Sequence, residues 1–141
     1  MRMTMRWTLI FLFALTGGWS CFSQGNAPRS GEDETVSKIA GVWRGNSVCT
    51  VKGSPCHEEV NVYRFSSVAG RPNAFSVTAS KVVDGKEIVM GSGEWKFDDE
   101  GRVLKSEAPM IRLVVTGDQM VGTLTLPSGA VYRRIYLRKA P

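Results

Sequence analysis

The chain has a single histidine, His57, among its 141 residues. A helical zinc site needs two histidines one turn apart, so counting alone excludes it. No glycine-rich loop stands between a strand and a helix, so no phosphate cradle is legible. No segment sustains a 3.6-residue apolar period over a window of about 11 residues, which argues against a helical domain. There is no Asn-x-Ser/Thr acceptor for N-glycosylation. Long apolar runs are scarce as well. The longest, Trp7 to Leu15, is apolar but for Thr8 and covers about half of the ~20 residues a membrane-spanning helix needs. Cysteine is limited to Cys21, Cys49 and Cys56.

The apolar run has a telling setting. Arg2 and Arg6 precede it, and the small, polar "TGGWSCFSQGN" follows it at once. That is the three-part layout of a secretory signal peptide over residues 1–23, with the cut expected between Ser23 and Gln24. The alternative is a cut before Cys21 that leaves a lipid anchor there. Gly18 and Trp19 stand where such a site prefers an aliphatic and a small residue, so the first cut is preferred. Arg2 and Arg6 are the only charged side chains removed, which lowers the net charge from +5 to +3. Part of the high pI therefore belongs to the signal, and nucleic acid is not expected as a partner. Two cysteines remain in an exported chain, which reads as one disulfide.

Residues 24–38 read as a flexible leader. "QGNAPRSGEDE" is polar and without apolar periodicity, and "TVSKIAG" has room for one helical turn. From residue 39 to residue 141 the chain reads as one domain of strands separated by short turns. "GVWRGNSVCTV", "EEVNVYRFSS" and "AFSVTASKVV" come first. Asp84-Gly85 between apolar runs is a strong hairpin signal. "KEIVM", "EWKF", "RVLKSE", "MIRLVV", "QMVGTLTL" and "AVYRRIYLRK" follow, with Gly91 and Gly93 breaking the pattern. Short links favour antiparallel neighbours, because parallel crossovers need a dozen residues or more. Closure removes the two exposed edges. The expected fold is all-β: a closed antiparallel up-and-down barrel of eight to nine strands. In the last strand Val131, Arg133, Ile135 and Leu137 share the face expected inside, and Tyr132, Arg134, Tyr136 and Arg138 share the other.

Candidate chemistry clusters near the first strand. Cys49 and Cys56 flank the turn "TVKGSP", and closing so small a loop stabilises by roughly 2–3 kcal/mol. A redox or metal pair would need Cys-x-x-Cys spacing or a second His or Cys nearby. His57 reads as a surface residue beside the disulfide. Glu94, Asp98, Asp99 and Glu100 lack the alternating spacing of a calcium loop and read as a solvated turn. Tyr132, Arg134, Tyr136 and Arg138 make an aromatic–basic stripe suited to covering the barrel or docking a protein. Trp43, Tyr63, Phe65, Phe75, Trp95 and Phe97 either fill the interior or line a cavity, and Tyr63, Phe65, Phe75 and Trp95 are the candidate ligand contacts.

"SKIAGVW" resembles the start of lipocalin-like (calycin) barrels, in which a Lys-x-x-Gly-x-Trp pattern opens the first strand. The chain is also similar to small exported bacterial barrels without an assigned activity. The lipocalin resemblance implies that Trp43 plugs the closed end and that Arg133, from the last strand, packs across it. A guanidinium over a shielded indole gains ~1–2 kcal/mol.

These readings converge on a secreted or periplasmic barrel that binds rather than catalyses. It is expected to hold a small apolar or amphipathic ligand at its open end, with no cofactor and no bound metal. The alternative is a protein-binding barrel, such as a periplasmic protease inhibitor acting through its leader or outer surface.

Overall fold

A computed structural model of the chain describes residues 30–100 and 102–141. The expected signal peptide, Cys21 and the first part of the leader lie outside the described residues. The order of elements is α1 (Ser30–Ile39), β1 (Gly41–Cys49), β2 (Glu59–Val68), β3 (Arg71–Val83), β4 (Lys86–Asp98), β5 (Val103–Glu107), β6 (Met110–Thr116), β7 (Gln119–Thr125) and β8 (Val131–Lys139). Each strand pairs antiparallel with the next, and β1 pairs with β8, so the sheet closes as an eight-stranded up-and-down barrel.

Period-2 patterning decides which side chains enter. In β6, Ile111, Leu113 and Val115 are buried, while Met110, Arg112, Val114 and Thr116 are exposed. Turn chemistry agrees with it. Asp84 and Gly85 both take positive φ, 51° and 75°, as the two-residue turn of a β-hairpin requires. Curling the sheet needs two places where neighbouring backbones nearly touch. A Cβ on Gly45 would collide with the carbonyl of Tyr136, and one on Gly122 with the carbonyl of Arg112. Only glycine fits there. Gly45 sits on the closing seam itself, opposite Leu137.

One end of the barrel is solid. Trp43, Phe75, Leu104, Leu113, Met120, Ile135 and Leu137 are almost wholly buried there, together with Ile39 of α1. Each such side chain contributes about 1.5–3 kcal/mol relative to exposure. The cluster also contains Phe65 and Phe97.

Three expectations change. The stretch read as leader, residues 24–38, holds most of helix α1, whose first turn carries Glu32 and Asp33 and whose last carries Lys38. Those charges suit the helix dipole. The helix is anchored by Ile39 and Val36, which pack on the core. Trp43 Nε1 donates to the Ile39 carbonyl at 2.8 Å, and Lys139 Nζ donates to the carbonyls of Ser37 and Lys38 at 2.7 and 2.9 Å. These bonds satisfy carbonyls that a helix end leaves open.

The second correction concerns Arg133. It does not pack on Trp43. Arg133 lies opposite Cys49, at the far end of β1, whereas Trp43 lies opposite Lys139. The cation over the Trp43 ring is Lys139, 5.7 Å from the centroid. Both residues share the inward parity of β8, and the strand continues one pair further than the expected alternation. The third is Val131, which is exposed rather than interior, because the β7–β8 register shifts between Leu124 and Thr125. The Cys49–Cys56 disulfide is formed, with Cα atoms 6.0 Å apart.

Candidate functional site: a lateral cavity

The other end of the barrel is hollow, and strand lengths explain why. β3 and β4 have 13 residues each, but β5 has five. The β4–β5 ladder therefore holds three pairs, Lys96–Lys105, Phe97–Leu104 and Asp98–Val103. Before Lys96, β4 has no strand on its β5 side among the described residues. A slot opens between that edge and the β5–β6 turn.

The inward positions of β4 complete the hollow. Gly91, Gly93, Trp95 and Phe97 alternate onto the interior face, two without side chains and then two large. A Cβ on Gly91 or Gly93 would meet nothing within 4 Å. The resulting cavity, about 1100 Å³, opens sideways through the slot and is lined by Tyr63, Val77, Ala79, Trp95, Ile111 and Leu124, with Lys96, Lys105 and Arg112 at its rim. Its volume is slightly above the range that small-molecule sites usually occupy, roughly 300–1000 Å³. A register shift between Ala79 and Ser80 leaves Ile88, Val89 and Met90 exposed above the opening.

Of the four aromatic residues read as ligand contacts, Tyr63 and Trp95 line this cavity. Phe65 braces Trp95 from beneath, edge-on at 5.7 Å, and Tyr63 meets Trp95 edge-on at the same separation. Phe75 is fully buried in the solid half and does not border the hollow.

Beside the cavity lies a polar interior wall. Arg133 donates to the His57 carbonyl at 3.0 Å and to the Ser47 hydroxyl at 3.3 Å, and pairs with Glu59 at 3.5 Å. Lys81 reaches the same carboxylate at 3.9 Å. Arg133 and Glu59 are mostly shielded, with 11% and 15% of their side chains exposed, so the pair satisfies charges that burial would otherwise penalise. Tyr63 connects this wall to the cavity. Burial, with the Glu59 charge adding to it and Arg133 opposing, pushes its hydroxyl from 10.0 up to about 12, so the phenol stays protonated and able to donate. Asn61 Oδ1 is buried and has no partner among the described residues.

The remaining polar candidates are placed elsewhere. The His57 side chain is exposed, and what the residue contributes is its carbonyl. Glu94 is held by a bidentate pair with Arg71, and Asp98 by Lys105 at 3.4 Å. Among the described residues no three His, Cys, Asp or Glu side chains converge on a metal-sized site. No helix there is long and apolar enough to cross a membrane.

Two features escaped sequence reasoning. Lys139 needed only one more step of the β8 alternation. Gly91 and Gly93 read as strand breakers, although "GSGEWKF" places them in phase with Trp95 and Phe97. No family model, curated protein or solved structure matches the chain. The likeness to lipocalins therefore extends as far as architecture: antiparallel strands closed on themselves, with Trp43 at the solid end.

Proposed function

We propose that the chain is a secreted or periplasmic, non-catalytic binding protein that holds a small apolar or amphipathic molecule in the lateral cavity. The observation that carries this reading is the pair of inward glycines, Gly91 and Gly93, which leave about 1100 Å³ over a floor of Tyr63 and Trp95. An apolar body would rest on Trp95, Val77, Ile111 and Leu124, while the Tyr63 hydroxyl offers a hydrogen bond to a polar group. The disulfide supports an oxidising compartment, and the amino-terminal pattern supports export.

The test is a titration with a naphthylamine dye, read by energy transfer from tryptophan. Saturable binding in the native protein, lost in Gly93→Phe and with weakened energy transfer in Trp95→Phe, which leaves Trp43 as the donor in the barrel, is the expected result. Undiminished binding in Gly93→Phe overturns the cavity as the site. A second reading, a barrel that binds a protein partner, is favoured by one feature: the β4 edge, unpaired among the described residues, with exposed Ile88, Val89 and Met90, to which an extended peptide can add as a strand. Under that reading Val89→Lys abolishes partner binding and leaves the dye titration unchanged.

A further inference from the structure

The outer face of β5–β8 carries charge that the barrel leaves unbalanced. Lys96, Lys105, Arg112, Thr123 and Arg134 are successive cross-strand neighbours, so four cations stand in one row across five strands. Arg138 and Arg44 face each other directly across the closing seam, in a second cationic row. Like charges opposite one another on a sheet are unfavourable. Among the described residues Lys105 alone of these six is in a salt bridge, with Asp98; Arg44 feels Glu87 only at a distance. The other carboxylates bordering this face are Glu94, two residues before Lys96 and paired with Arg71, Glu107, at the rim of the cavity, and Asp118, in the β6–β7 turn.

Between the two cationic rows runs an apolar one. Val114, Val121 and Tyr136 are cross-strand neighbours, each exposed by more than two fifths. Basic rows flanking exposed valines and a tyrosine make a face that meets lipid headgroups with charge and the acyl boundary with apolar surface. The cavity opens on the same side, since Lys96, Lys105 and Arg112 form both the first row and the rim.

We propose that this face docks the barrel on an anionic lipid bilayer, with the slot turned toward the headgroups. An acidic protein would satisfy the cations equally well. The lipid surface is favoured because the exposed apolar row lies within the cationic field and because an apolar cavity opens beside it. The proposal goes beyond the ligand reading and stands without it, since docking uses the outside of the barrel and not its interior.

The experiment is co-sedimentation of the exported, disulfide-bonded protein with vesicles of phosphatidylcholine containing phosphatidylglycerol, and with phosphatidylcholine alone. The native protein should sediment with the anionic vesicles, fail to sediment with the neutral ones, and be released by salt. Arg112→Glu with Arg134→Glu should lower partitioning at least about 30-fold, from a contribution of about fivefold per cation near the surface. Lys52→Glu with Lys86→Glu makes the same charge change at exposed positions away from this face, in the β1–β2 loop and at the start of β4, and should cost far less. Gly93→Phe should sediment like the native protein even where dye binding is lost, which separates this proposal from the ligand reading. Equal sedimentation with both vesicle types overturns it. So does an equal loss in the Lys52→Glu, Lys86→Glu control, or capture by polyglutamate without capture by anionic vesicles.

Discussion

Glycines on the inward face should respond to substitution with opposite signs. Gly93 faces open space, and its backbone is extended, so Gly93→Leu meets no obstacle. The change removes the cost of glycine in a strand, about 0.5–1 kcal/mol. It also covers Trp95 with a side chain whose full burial would be worth about 1.5–3 kcal/mol. Because one flank still faces the slot, about half of that is realised, and the net gain is about 1.3–2.5 kcal/mol. Gly45→Ala is the opposite case. Its Cβ would overlap the Tyr136 carbonyl and the Leu137 Cα, both backbone atoms of the closing seam. Relief requires parting β1 from β8, and overpacking of this kind costs about 1–3 kcal/mol or more. Urea denaturation followed by tryptophan fluorescence reads both. With an m value near 1.5 kcal/mol/M, the two midpoints should separate by about 2 M. If general strand propensity ruled, both variants would be more stable than the native protein. A shift of both midpoints in the same direction refutes the assignment of Gly91 and Gly93 to an unfilled hollow.

Tyr63 should ionise near pH 12 by ultraviolet absorbance, and that transition should vanish in Tyr63→Phe. Because its folded value lies above the unfolded value of 10.0, its contribution is complete below pH 10 and is lost as pH rises toward 12, about 2–3 kcal/mol in all. Replacing Cys49 and Cys56 by serine should lower stability by about 2–3 kcal/mol, since the bond spans seven positions. Lys139→Met should cost about 1–2 kcal/mol and release amide protection in α1, because two carbonyl contacts and the cation over Trp43 go together. Arg133→Met should leave α1 protected; loss of α1 protection there would return Arg133 to the role that the structure gives to Lys139.

Much of the architecture was legible because it depends on local signals. Asp84-Gly85 fixes its hairpin by backbone preference alone, and two cysteines flanking a short turn, in a chain whose amino-terminal pattern reads as an export signal, leave little choice of partner. Barrel closure followed from short links and the need to pair edge strands. The site was harder. Whether a residue faces in or out is a running count along a strand, and a single bulge resets it. The shift at Ala79/Ser80 detaches Ile88 and Val89 from the phase of Trp95, and the shift at Leu124/Thr125 puts Val131 outside. Helix α1 was hidden for another reason. Its sequence is polar except at a few positions, and what holds it is tertiary: Ile39 on the core and a lysine from the opposite end of the chain. Sequence reasoning placed Tyr63 and Trp95 in the cavity region because large aromatics on strands must point somewhere. It had no comparable handle on glycine, whose contribution here is the volume it leaves empty.

The short β4–β5 ladder has a mechanical corollary. Three pairs hold the barrel on that side, while seven hold β1 to β8 on the other. Strands β1–β4 and β5–β8 thus meet as two leaves, joined by a long ladder along one seam and a short one along the other. Lys96–Lys105 is the pair next to the slot, so parting it would widen the entrance, whereas Phe97–Leu104 belongs to the packed core and holds the solid end shut. Under the proposed binding role, a guest broader than the resting slot would be admitted where the fewest backbone bonds hold the wall.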